Sequence, residues 1–228
     1  MTPGHSPQNP WTTSTPSGEA PLKAHEYAQR RDWPRYYTAV AGKGPRDTLL
    51  KALELFEKEP APGAPRLAVD LGCGSGRDTF ELLNRGWRVL ATDSHPMAID
   101  LLFPQVPAAQ LSRLECLVAG FEKLEIPDAD LVNASYALPF CDPAEFPRLW
   151  DRIVRATPAG GRFAGQFFGP RDDWAALPDR THHTRAQVEH LLADFILEQI
   201  NEVENREAGV TGEVKNWHIF HVVARKRR

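Results

Sequence analysis

Three glycines at alternate positions, Gly72, Gly74 and Gly76, follow the apolar run Leu67 to Leu71 and precede a helix-like segment from Arg77. Glycine lets the main chain turn tightly there and lets a ligand approach it with no Cβ in the way. A second apolar run, Trp87 to Thr92, ends at Asp93, 21 residues after Gly72. In βαβ nucleotide sites a carboxylate about 20 residues beyond the glycine loop reaches a ribose. Together these residues point to a nucleoside-bearing ligand. The dinucleotide fingerprint needs a third glycine where Arg77 stands, so NAD is disfavoured.

These residues need strands and helices to hold them. The pattern predicts strands at 67–71, 87–92, near 114–118, 129–135, 162–168, about 196–204 and 217–225. Helices are predicted between them. One opens at Gly44-Pro45-Arg46-Asp47 and buries Leu49, Leu50, Leu53 and Phe56; one runs from Arg77 and stops at Gly86; one starts at Pro96. Asp142-Pro143-Ala144-Glu145 and Thr184-Arg185-Ala186-Gln187 have the form of capping boxes, each leading a further helix. Strands alternating with helices argue for a parallel sheet covered on both faces. The segment Trp217 to Val223 is apolar on both faces apart from its histidines, as in a strand inside a sheet.

A chain of 228 residues suits a single domain. Residues 1–22, rich in Pro, Ser, Thr and Gly, are expected to be a disordered tail, leaving 23–228 as the domain. The net charge of −3 gives no electrostatic case for nucleic acid or an anionic membrane as partner. No apolar run reaches the roughly 18 residues of a membrane span, and no secretory leader is read at the N-terminus. Three cysteines, Cys73, Cys116 and Cys141, suit reduced thiols in a cytoplasmic protein better than disulfides.

The stretch Val69-Asp70-Leu71-Gly72-Cys73-Gly74-Ser75-Gly76-Arg77-Asp78, with Asp93, resembles motifs I and II of the class I S-adenosylmethionine (SAM) dependent methyltransferases. The resemblance implies an α/β sandwich. Its seven-stranded, mostly parallel sheet has an antiparallel last strand, and helices lie on both faces. It implies SAM as cofactor and S-adenosylhomocysteine as product. Cofactor-binding residues are then expected at Asp70, Gly72, Cys73, Gly74, Gly76, Arg77, Asp93 and Ser94. Phe121 and Glu122 would meet the adenine, and Asn133 and Ala134 would touch the cofactor after the fourth strand.

Arg77 and the ending Trp217 to Lys226 look like the tellurite-resistance and thiopurine-like branch, whose small enzymes act on soft, small acceptors. By that likeness residues 23–60 form a helical lid, with Trp33, Tyr36, Tyr37 and Arg46 facing the site. Tyr36, Tyr37, Arg46, Tyr136, Phe140 and Trp174 are the expected acceptor-side residues. The tellurite enzymes carry a His-Arg pair where this chain reads Glu204-Asn205-Arg206, which argues against tellurite or selenite. Only Arg206 and Lys215 offer cationic donors there. A hydroxyl acceptor would need a base. His182, His183 and His218, with Asp173, are the candidates, and each also suits a structural role. His182 and His183 are adjacent and have no ligand-spaced partner, so no metal site is expected. The expected activity is methyl transfer to a small molecule by a monomer or homodimer. The alternatives are an RNA or protein acceptor, or a SAM-binding module without turnover.

Overall fold

The computed structural model describes residues 22–208 and 214–228. The chain forms helices α1 (Ala24–Gln29), α2 (Trp33–Val40), α3 (Asp47–Glu57), α4 (Arg77–Asn84), α5 (Pro96–Leu102), α6 (Phe146–Ala156) and α7 (Arg185–Leu191). Its strands are β1 (Leu67–Leu71), β2 (Arg88–Asp93), β3 (Leu114–Val118), β4 (Leu131–Ala134), β5 (Arg162–Phe168), β6 (Phe195–Ala208) and β7 (Val214–Lys226). They make one sheet in the order β3-β2-β1-β4-β5-β7-β6. Strands β1 to β5 pair in parallel, and β7 runs antiparallel to both neighbours. This is the sheet that the resemblance implies. The tail expected at residues 1–22 lies, except for Leu22, outside the described residues.

Alternation along the strands sends side chains to two cores. On one face Val69, Val132, Phe163, Phe167 and Val222 pack against Phe146, Leu149 and Ile153 of α6 and Val188 of α7. On the other, Ala68, Val89, Ala164 and Val223 meet Leu49 and Leu53 of α3 and Leu82 and Leu83 of α4. A third cluster sits at the end of the sheet, where Phe168, Trp174 and Ile219 pack under Ala28 of α1.

Three sequence expectations need correction. The α6 helix begins at Phe146, not at Pro143, because Asp142 Oδ1 accepts from the Ala144 N–H at 2.8 Å and holds residues 142–145 in a turn. The last two strands are longer than expected. The segment 23–60, expected as a lid, includes α3, whose Leu49 and Leu53 are fully buried on the sheet, so α3 belongs to the sandwich. The Thr184–Gln187 capping box forms as expected, with Thr184 Oγ1 accepting from Gln187 N. Cys73, Cys116 and Cys141 are unpaired.

Candidate functional site

The glycine loop joins β1 to α4. At Gly72, φ is +69°, and a Cβ would stand 2.7 Å from the Ala137 Cβ. Glycine is therefore required by the turn and by the close approach of the loop after β4. Gly74 faces the other way, towards open space and the ring of Tyr37.

Beneath the loop lies a buried polar knot. Asp70 accepts from Thr79 Oγ1 at 2.6 Å and from Asn133 Nδ2 at 2.9 Å, and the same amide donates to Asp78 Oδ2 at 3.0 Å. Asp78 Oδ1 accepts from the Arg46 N–H at 2.8 Å, which ties α3 to the start of α4. Burial, reinforced by the neighbouring Asp78, pushes the Asp70 carboxyl up to about 7. Asp70, Cys73, Gly76, Asn133 and Ala134 thus brace the loop from below and do not line the cavity above it. The side chains of Asp70 and Asn133 are spent on one another and on Thr79 and Asp78, and those of Cys73 and Ala134 lie in the core.

Asp93 ends β2 with its carboxylate almost fully buried. Its Oδ2 accepts from Gly74 N at 3.0 Å, and its Oδ1 accepts from His95 N at 2.9 Å and from Tyr37 Oη at 3.0 Å. The α2 helix is therefore latched directly onto this carboxylate. Above it opens a cavity of about 380 Å³. Gly72 and Gly74 form one end, Asp93 and Ser94 the floor, and Phe121 and Glu122 the far wall. Trp33, Tyr36 and Tyr37 roof it. Of the residues expected to hold the cofactor, Gly72, Gly74, Asp93, Ser94, Phe121 and Glu122 converge here. Arg77 points away, its Nε donating to the Gly44 carbonyl. Burial and the adjacent Arg46 both lower the Arg77 pKa.

A second cavity of about 520 Å³ adjoins the first, and Tyr36, Tyr136 and Phe140 line both. Phe168, Trp174 and Trp217 form its aromatic wall, and Arg46 and Lys43 supply positive charge. Tyr136 has φ of +56°, a backbone state uncommon for a non-glycine residue. Gln166 holds it there: its Oε1 accepts from Tyr136 N at 2.7 Å while its Nε2 donates to Thr48 Oγ1 at 2.9 Å. The Arg46 guanidinium lies 4.3 Å from the Tyr136 ring centre. Of the residues expected on the acceptor side, Tyr36, Arg46, Tyr136, Phe140 and Trp174 line this cavity, while Tyr37 lines only the first.

The histidines expected as bases lie elsewhere. His182 is bonded to the Ala175 carbonyl at 2.6 Å. His183 packs on Phe146 and Phe167, and burial drives its pKa down to about 4. His218 is buried against Glu202 at 2.8 Å, with the Arg171 guanidinium also bonded to Glu202 and Glu204. Lys215 is held by Asp172 and does not offer a free cation. The sequence reading missed His221, which lines the second cavity with its ring 6.2 Å from that of Tyr136. Its alternation with Trp217 and Ile219 along β7 was the available signal.

Residues 68–161 match a family described as a methyltransferase domain. An uncharacterized methyltransferase of Mycobacterium tuberculosis is 32% identical over 114 residues, covering 49% of this chain and 43% of that protein. A malonyl-[acyl-carrier protein] O-methyltransferase of Halorhodospira halophila is 30% identical over 170 residues, 70% of this chain and 55% of that one. The chain thus spans about half the length of these curated relatives. Among solved structures, TehB from Haemophilus influenzae superposes with a TM-score of 0.67 at 16% identity, over 86% of this chain and 67% of TehB. A Burkholderia thailandensis 1,6-didemethyltoxoflavin-N1-methyltransferase, with bound 1,6-didemethyltoxoflavin and S-adenosylhomocysteine, gives 0.63 at 20% identity. That match covers 98% of this chain and 100% of that one.

Proposed function

We propose that this chain is a class I SAM-dependent methyltransferase, which binds SAM in the cavity above Asp93 and transfers its methyl group to a small molecule in the adjoining cavity. The observation that carries this reading is the pair of cavities meeting at Tyr36, Tyr136 and Phe140. An in-line transfer needs donor and acceptor held in contact, so the two cavities would have to open into each other beside these residues.

The residues present fit the cofactor. The Asp93 carboxylate suits ribose hydroxyls, and the Gly72–Gly74 main chain, bare of Cβ atoms, suits close approach by the methionine portion. Phe121 and Ser94 offer a slot for a flat base, with Glu122 beside it to accept from an amine. Bound SAM supplies an electrophilic methyl on a sulfonium. The chain's part is positioning and exclusion of water: α1 and α2 close the site from above, and the aromatic rings at the shared wall favour a positively charged neighbour. A small acceptor suits a second cavity of about 520 Å³. The toxoflavin relative, which holds a small heterocycle, supports the same reading.

The test is transfer of a radiolabelled methyl from SAM into a cell extract split into small-molecule and macromolecular fractions, beside calorimetric titration with SAM. Label is expected among the small molecules. Label confined to macromolecules would reverse the acceptor assignment, and absence of SAM binding would remove the activity altogether.

A further inference from the structure

We infer that the second cavity takes a planar aromatic acceptor bearing an acidic O–H or ring N–H, and that His221 is the base that removes its proton. The inference rests on the SAM-dependent reading above.

The aromatic lining of the cavity argues for an aromatic guest. Trp174 and Trp217 meet edge to face at 5.2 Å, and Phe168 stands 5.7 Å and 6.0 Å from them. Aromatic walls of this kind bind aromatic guests by offset and edge-on contacts. Arg46 brings positive charge to the same space, which suits an acceptor that becomes anionic as it reacts.

His221 stands where a base is needed. It projects from β7 opposite Gln166 of β5, beside Tyr136, the residue common to both cavities. Among the described residues, no hydrogen bond or ion pair is formed by its ring. By contrast His25, the other histidine of this cavity, faces Glu207 at 3.7 Å and packs on Trp217, away from the shared wall. Burial lowers the His221 pKa, with Asp47 opposing and Arg46 adding to the effect, so the imidazole is neutral at pH 7 and able to accept a proton. In the step, the acceptor's X–H bond breaks and its proton passes to a ring nitrogen of His221. The electron pair left on X forms the bond to the methyl carbon. The C–S pair stays on sulfur, and imidazolium later releases the proton to water.

Two probes of one shape separate the parts of this inference: 2-naphthol, whose O–H needs a base, and 2-naphthalenethiol, which ionises near neutrality without one. Calorimetry without cofactor should show 2-naphthol binding to the wild type, weakened at least about tenfold by Trp217→Ala and little changed by His221→Asn. With SAM, His221→Asn should lower the rate of naphthol methylation about a hundredfold or more, the lower end of what general-base catalysis provides. Its rate with the thiol should fall at least about tenfold less than its rate with naphthol, and its affinity for SAM, bound in the other cavity, should stay within about threefold of wild type. Equal losses with both probes, or no loss with naphthol, would overturn the base assignment. A protein that binds SAM but neither naphthalene would overturn the acceptor class. A protein that does not bind SAM would instead bring down the underlying reading.

Discussion

The two cavities are built in different ways. The one above Asp93 is made, beneath its α2 roof, from strand ends and the turns that follow them: Gly72 and Gly74 after β1, Asp93 and Ser94 at β2, Phe121 and Glu122 after β3. Each group is continuous in sequence with an element that must exist for the sheet to form. The cavity around His221 is assembled from side chains of α1, α2, β5, β6, β7 and the segments between them, far apart in sequence. The difference teaches that the parallel sheet specifies the first cavity, whereas the second depends on how the N-terminal helices, hairpin and loops meet. Breaking the first should disturb fold and binding together. Changing the second should alter what is methylated while leaving SAM binding intact.

The largest effect is expected at Gly72. In Gly72→Val the left-handed φ and the 2.7 Å approach to Ala137 both act against the new side chain. Strain and overpacking of this kind cost about 1–3 kcal/mol each. Urea unfolding should therefore show a loss of roughly 3 kcal/mol or more, with SAM binding abolished. A stable, binding-competent variant would mean that the loop can retreat from Ala137, and the cavity is less tightly specified than the turn implies.

Asp93→Ala should come next. Loss of a charged hydrogen-bond partner costs about 1.5–3 kcal/mol, so the Kd for SAM should rise roughly ten- to hundredfold. Calorimetry on the folded variant decides it, and an unchanged Kd would sink the ribose assignment.

These two residues were legible in the sequence because their chemistry is tied to the main chain. The glycine spacing and the offset of Asp93 follow from local pattern, and the alternation of strands and helices argues for a parallel sheet, whereas the antiparallel last strand came only with the family resemblance. Tyr136 and Phe140 were legible as far as position, since they follow β4. His221 was not singled out, because a histidine inside an apolar strand carries no mark of which cavity it will face. The histidines that drew attention, His182 and His183, sit in a loop whose path places them against Ala175 and Phe146. Asp70 was read as a ligand because it precedes the glycines, and Asn133 because it ends the fourth strand. Their partners Thr79 and Asp78 come from α4, and that packing turns them into supports.

The support itself predicts a pH dependence. Asp70 has its pKa raised to about 7 in the fold from 3.8, so between those values the folded state holds a proton that the unfolded state lacks. Its contribution is present at low pH and is lost as pH rises towards 7. His183, lowered to about 4, acts in the opposite sense: its contribution is present above 6.5 and is lost as pH falls through 4. The two oppose each other in the wild type, so the informative quantity is wild type minus Asp70→Asn. That difference should fall with rising pH by at most about 1.4 kcal/mol per unit, for example between pH 5 and pH 6. Urea titrations at both pH values measure it, and a flat difference would place the proton elsewhere in the knot.

The smallest effect is expected at Tyr37, where lid and cofactor cavity touch. Its hydroxyl donates to the same Asp93 oxygen that receives the His95 N–H. A ribose hydroxyl directed at that oxygen must share it with Tyr37 or displace it. Tyr37→Phe removes the competing donor but keeps the ring that packs near Trp33 and Gly74. Loss of the bond should cost the lid about 1 kcal/mol of docking stability, and the freed oxygen should tighten SAM binding by up to about tenfold. Hydrogen exchange across α2 and calorimetric titration read the two halves separately. Looser α2 with a lower Kd would identify Tyr37 as a latch that the cofactor must replace. Looser α2 with a higher Kd would identify it as part of the cofactor's own binding surface, and the boundary between lid and site would then fall inside α2.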